Sequence, residues 1–94
     1  MSGIARLGDL CTGHDGFKSR PIITASQSMT INGLGVASQG DLLDYHNKDN
    51  KIHNGFILTG SSNMTLSGRS VARIGDLVSC GGSILTGSRT SSNS

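Results

Sequence analysis

A cassette of the form apolar-Ala-x-x-Gly-Asp-Leu occurs three times in this chain. The copies run from Ile4 to Leu10, from Val36 to Leu42 and from Val71 to Leu77, which puts their glycines at 8, 40 and 75. Repetition at such a period constrains the fold more than any single residue does. Each copy is one supersecondary unit that cannot bury its apolar face alone, so the copies must pack on one another. Within a copy, Gly before Asp marks a backbone position that calls for positive φ or close approach, and the Asp carboxylate can bond back to nearby amides. The small alanines at 5, 37 and 72 fit a place where three related strands crowd together. These acidic residues are therefore read as structural, not as carriers of chemistry.

Strand signals accompany the cassettes. Ile23, Ala25, Met29 and Ile31 alternate with Thr24, Ser26, Ser28 and Thr30, the period of a half-buried strand, and Asn32-Gly33 supplies a tight turn into the second cassette. The same pattern returns 35 residues later, where Leu58, Gly60, Met64 and Leu66 alternate with Thr59, Ser61, Asn63 and Thr65. Ser83 to Ser88 begins a third pass that no cassette follows. The chain thus opens on a cassette without its strand and closes on a strand without its cassette. Joined in space, the two ends complete a third unit. The expected fold is all-β, a closed pseudo-threefold arrangement of short strands and loops in a single domain over residues 1–90. A flexible Ser/Asn-rich tail is expected at 91–94. The polar stretch 44–53 reads as a solvated loop, with at most a turn of helix around Leu42 to Tyr45.

Composition narrows the function. With 94 residues, 34% of them hydrophobic, and only one Tyr and two Phe, the core is lean, and such chains need a metal, disulfides or a partner to be secure. A net charge of +2 from scattered basic residues leaves no patch for nucleic acid or an anionic membrane. Met1-Ser2-Gly3 leads straight into the first cassette, and no apolar run approaches spanning length. Synthesis and folding in a cytoplasm are expected. There the two cysteines read as thiols or metal ligands.

The repeat brings the soft ligands into register. His14 lies five residues after Asp9, His46 five after Asp41, and Cys80 four after Asp76, one in each unit. They are expected to converge at one end, with His53 returning from the longest loop as a fourth. Taken singly, each His is more ordinarily a surface or core residue; register and convergence favour ligation. Three imidazoles and a thiolate make a closed tetrahedral set suited to structural Zn²⁺, with iron as the alternative. Structural zinc can contribute roughly 10 kcal/mol or more to a small fold. Cys11 aligns with Leu43 and Val78 and reads as a small buried hydrophobe, with ligation beside His14 as its alternative. A small zinc hydrolase is the remote alternative: it would need an open coordination position and commonly a Glu base, and the chain has no Glu and four ligands leave no vacancy, although an Asp could serve as base. A nucleic-acid-binding zinc module would need closely paired ligands and a basic face, both missing here.

The stretches Ile4 to Asp9, Val71 to Asp76 and Thr59 to Gly68 resemble the PAAR-repeat family, named for a Pro-Ala-Ala-Arg motif. Cys11-Thr12-Gly13-His14 is similar to the small tail-spike members. No literal Pro-Ala-Ala-Arg occurs, and Ser38-Gln39 departs from the usual Arg-apolar pair. The resemblance implies a small cone of β-strands, with a metal held near its point by His14, His46, His53 and Cys80. It implies a non-enzymatic tip with no small-molecule substrate. A single copy would cap the blunt end of a trimeric β-helical spike through its base, with edge strands extending the partner's sheets. On contraction the spike would meet the target cell envelope. The implied location is the baseplate spike of a phage virion, assembled in the bacterial host cytoplasm. The alternative is an orphan tip of a type VI secretion spike, exported from the cytoplasm.

Overall fold

The computed structural model describes residues 2–12, 19–48, 51–79 and 81–93, with the backbone alone at 2, 45–48, 51–54 and 93. Its strands in chain order are β1 (Ser2–Gly3), β2 (Thr30–Ile31), β3 (Leu34–Gly35), β4 (Leu42–Lys48), β5 (Lys51–Phe56), β6 (Thr65–Leu66), β7 (Arg69–Ser70) and β8 (Ser92–Asn93). Two of the pairings follow from local turn chemistry. Asn32 and Gly33 have φ of 56° and 80°, and Ser67 and Gly68 have 54° and 80°. Two successive positive φ values make the turn whose twist suits a two-residue hairpin. Accordingly β2 pairs antiparallel with β3, and β6 with β7.

The third pairing has no covalent turn. β1 and β8 pair antiparallel, with Ser2 opposite Asn93 and Gly3 opposite Ser92. That register matches Ile31 opposite Leu34 and Leu66 opposite Arg69 in the other two. The two ends of the chain thus complete a third hairpin, as the broken repeat predicts. Within the stretch read as a tail, Ser92–Asn93 pair with Ser2–Gly3 just ahead of the first cassette, and residue 94 lies outside the described residues.

The cassettes meet at a ring of main-chain hydrogen bonds. The Ala5 N–H donates to the Ala72 carbonyl at 2.9 Å, Ala37 to Ala5 at 3.0 Å, and Ala72 to Ala37 at 3.0 Å. All three alanines are completely buried. A closed cycle of three bonds brings the backbones so near that little beyond a methyl group fits between them. Antiparallel bridges Arg6–Val36, Ser38–Val71 and Ile4–Arg73 repeat around the same cycle. This is the pseudo-threefold core.

The apolar residues fall into two clusters along that axis. The alanines pack with Cys11, Leu43 and Val78 and with Ile22, Ile57 and Ile84. The second cluster holds Ile4, Val36 and Val71, with Met29, Ile31, Met64 and Leu66 packed against it. Val36 and Val71 donate to the carbonyls of Met29 and Met64, and Ile4 donates to that of Ser91. Ser91 and Asn93 therefore stand in the third unit where the others have Met29 with Ile31 and Met64 with Leu66. The third unit thus lacks the apolar residues that the other two have at these register positions.

Two sequence expectations are corrected. The alternation taken for one straight strand has the wrong phase, since Ile22, Ile57 and Ile84 are buried while Ile23, Leu58 and Leu85 are 42%, 41% and 51% exposed. A turn interrupts the run. The Ser26 hydroxyl accepts from the Ser28 and Met29 amides, and Ser61 and Ser88 repeat this at Asn63 with Met64 and at Thr90 with Ser91. In the polar stretch 44–53, residues 44–48 and 51–53 are strand and not loop or helical turn, and residues 49–50 lie outside the described residues. They belong to the antiparallel pair β4–β5, with a register irregularity between Leu42 and Tyr45. Main-chain pairing does not require apolar alternation, so a hairpin polar on both faces leaves no period-two signal. Among the described residues there is no helix, hence none long and apolar enough to cross a membrane. The molecule is elongated, 38 × 24 × 22 Å.

Candidate functional site

Each cassette turns sharply at its glycine, with φ of 89° at Gly8 and 94° at both Gly40 and Gly75. The turn tucks the following carboxylate inward, and Asp9, Asp41 and Asp76 are 7%, 5% and 7% exposed. Each accepts from the amide three residues earlier: Arg6 at 2.7 Å, Ser38 at 2.8 Å and Arg73 at 2.8 Å. Each also accepts from a threonine of another segment, Thr86, Thr24 or Thr59. The same threonine oxygens accept the amides of Leu10, Leu42 and Leu77. These threonines went unnoticed in the sequence, although Thr24-Ala25-Ser26, Thr59-Gly60-Ser61 and Thr86-Gly87-Ser88 stand in register. The carboxylates are fully engaged in joining segments, which agrees with the structural reading of Gly-Asp.

Arginine completes two of the three turns. Arg6 Nε lies 3.0 Å from Asp9, and Arg73 Nε lies 3.1 Å from Asp76. The hydrogen bond to Asp76 raises the Arg73 pKa above its ordinary value; burial opposes this and the carboxylate charge reinforces it. A raised cation pKa stabilises the fold at every pH below the unfolded value and is lost only as pH climbs through the folded one. The pair therefore stays constant across neutral pH. In the second cassette Ser38 replaces the arginine, and Arg69 of β7 approaches Asp41 from outside at 3.7 Å.

Three connections spring from one end of the core. They follow the buried residues Cys11, Leu43 and Val78 and return near Pro21, Phe56 and Ser83. Their roots are tied by the bridges Cys11–Ile84, Ile22–Leu43 and Ile57–Val78. Among the sequence-derived ligands, His14 belongs to the first connection, His46 and His53 to the second, and Cys80 to the third. In the second connection the backbone register sets His46 directly opposite His53 across β4 and β5. His14 and Cys80 lie outside the described residues. Cys11 is not at this surface: it is completely buried as a free thiol among Ile22, Leu43 and Ile84. That supports its reading as a small core hydrophobe.

The donor chemistry of the four residues fits a structural metal of the zinc type, because all are imidazole or thiolate and all sit on connections with a common root. No curated protein matches the chain. The model of the PAAR motif matches residues 12–86. That span covers most of the 94 residues and all the strands from β2 to β7. On the repeated cassettes, the alanine ring and this match together, the chain belongs to the PAAR-motif family of spike-tip proteins.

Proposed function

We propose that the chain is the metal-capped, non-enzymatic tip of a trimeric β-helical spike in a contractile injection machine, bound as a single copy. The alanine ring carries this reading, because it gives one chain the threefold main-chain arrangement that a trimeric partner presents. The base would be the end built by the hairpins β2–β3 and β6–β7 and the β1–β8 pair, where short strand edges are available for strand addition. His14, His46, His53 and Cys80 would hold Zn²⁺, with iron as the alternative, at the opposite end. The bound metal would cross-link the three connections. Such cross-linking would keep the point from fraying when sheath contraction drives it into an envelope. The resemblance of Cys11-Thr12-Gly13-His14 to tail-spike members supports a phage baseplate as the machine, with a type VI secretion spike as the alternative.

Metal analysis of the purified chain, alone and with a trimeric spike fragment, tests the proposal. One zinc or iron per chain and a complex of one chain per trimer are expected. His46→Ala and His53→Ala together should lower metal content at least tenfold and leave Cys11 buried to thiol reagents. Finding neither metal nor spike binding would overturn the reading. Chelation that left puncture intact in assembled particles would reduce the metal to an aid in assembly.

A further inference from the structure

Among the described residues more large apolar side chains stand exposed than lie buried, ten against eight. Their placement follows the repeat. The leucine that ends each cassette is exposed, at 37% for Leu10, 39% for Leu42 and 53% for Leu77. Beside each stands a second exposed residue, because the amides of Leu85, Ile23 and Leu58 donate to the carbonyls of Leu10, Leu42 and Leu77 in turn. The cassette turns add a third. Gly8 and Gly75 donate to the carbonyls of Ile22 and Ile84, which brings exposed Leu7 beside Ile23 and exposed Ile74 beside Leu85. In the second cassette this third place belongs to Gln39, whose side-chain amide donates to the Leu58 carbonyl at 2.8 Å. Three apolar flanks thus face outward, one per unit, around the pseudo-threefold axis. They lie on the side of the alanine ring that leads to the connections, because Leu10, Leu42 and Leu77 immediately precede the buried residues from which the connections spring.

Each flank exposes on the order of 200 Å² of apolar side chain, far below the roughly 800 Å² that one partner contributes to a stable protein interface. No single flank can hold a globular partner, so whatever covers them must reach all three sides at once. Their apolar residues are all Leu or Ile, not the Trp, Tyr and Arg that anchor protein interfaces. Like flanks on every side, without anchors, suit a fluid apolar medium that surrounds an inserted body. We propose that the three flanks partition into the acyl region of a lipid bilayer as the end bearing the connections enters it. The attraction is apolar area removed from water, and the scattered charges of the chain add little to it. Three neighbouring segments are on the order of 10 Å across, against about 30 Å for the hydrocarbon core, so the flanks seat in one leaflet and do not span. This names lipid as the envelope component that the tip meets, and its setting rests on the tip reading above.

The test is flotation of the full chain with phosphatidylcholine vesicles, at low salt and at about 1 M salt. Co-flotation that salt leaves unchanged is expected. Leu58→Ser with Leu77→Ser, which empties one flank, should weaken partitioning roughly tenfold, and Leu10→Ser with Leu85→Ser should do the same. All four together should abolish it. These side chains are exposed, so melting close to that of the parent should accompany each loss. Absence of co-flotation, its loss at high salt, or flotation of the fourfold variant as strong as the parent's would overturn the proposal. So would a dimer or trimer of the free chain that the same substitutions dissociate, since copies of the chain would then cover the flanks. A chain that binds a trimeric spike but does not float fails this proposal alone, and one that floats but binds no spike fails the tip reading alone.

Discussion

The carboxylates of the cassettes are the residues on which most segments depend. Asp76 accepts the Arg73 amide at 2.8 Å, two bonds from its guanidinium and one from Thr59 at 3.0 Å. Asp76→Ala would strand the part-buried Arg73 amide, release its guanidinium and uncouple two segments, a cost of about 2–3 kcal/mol. Asp41→Ala should cost less, since Arg69 contributes little to its turn. Urea denaturation of the two variants checks the order, and equal losses would show that the arginine clamp is energetically idle. The sequence disclosed these aspartates readily because Gly-Asp is contiguous and repeated. It hid the threonines they bind, because Thr86 and Asp9 are 77 residues apart. It also hid why residues 60 and 87 are glycine. An added Cβ at Gly60 would lie 2.7 Å from the Ser70 Cβ, and one at Gly87 would lie 3.0 Å from the Gly3 carbonyl oxygen.

Among the elements, the two-residue hairpins are the most local and were the most legible. Asn32-Gly33 is a strong turn signal, and the positive φ values confirm its geometry. An added Cβ at Gly33 would meet nothing within 4 Å, so a larger residue there is penalised by backbone conformation alone. Gly33→Val should therefore cost about 1–2 kcal/mol, read by thermal melting. Asn32→Gly keeps the turn conformation but loses the side-chain bonds to Arg6, Ser88 and Thr90, so it should also destabilise, by about 1–2 kcal/mol, and a neutral outcome would show those bonds to be energetically idle. The hairpin β4–β5 was illegible for the opposite reason. Its pairing rests on main-chain bonds and on the burial of Leu43 at its root, while its polar residues carry no alternation. Loop was the natural reading of a ten-residue stretch dominated by polar side chains, yet the pairing it missed sets His46 opposite His53. The phase error at Ile23, Leu58 and Leu85 has another source. A serine-capped turn inside each run changes which residue faces the core, and periodicity assumes an uninterrupted strand.

At the scale of the molecule, the pairing of Ser2 with Asn93 makes the position of the chain break a matter of connectivity. Joining residue 94 to residue 1 would create a two-residue link equivalent to Asn32-Gly33. A circular permutant closed there through Asn-Gly and opened between Ser67 and Gly68 should keep the fold. Its melting temperature should stay within about 5 °C of the parent, because one hairpin turn is exchanged for another. Loss of cooperative melting would show that the present ends are needed where they are. The sequence by itself determined the number of units, their register, the closure of the two ends and the set of His and Cys residues worth testing. All of these follow from repetition, which is visible along a chain because it concerns residue identity at fixed intervals. Only the tertiary structure decided which face of each strand is buried, that the polar stretch pairs with itself, and that the leucine ending each cassette stands exposed. Those outcomes depend on segments far apart in sequence competing for the same space and the same hydrogen-bond partners. The cassette alone carries no record of its neighbours.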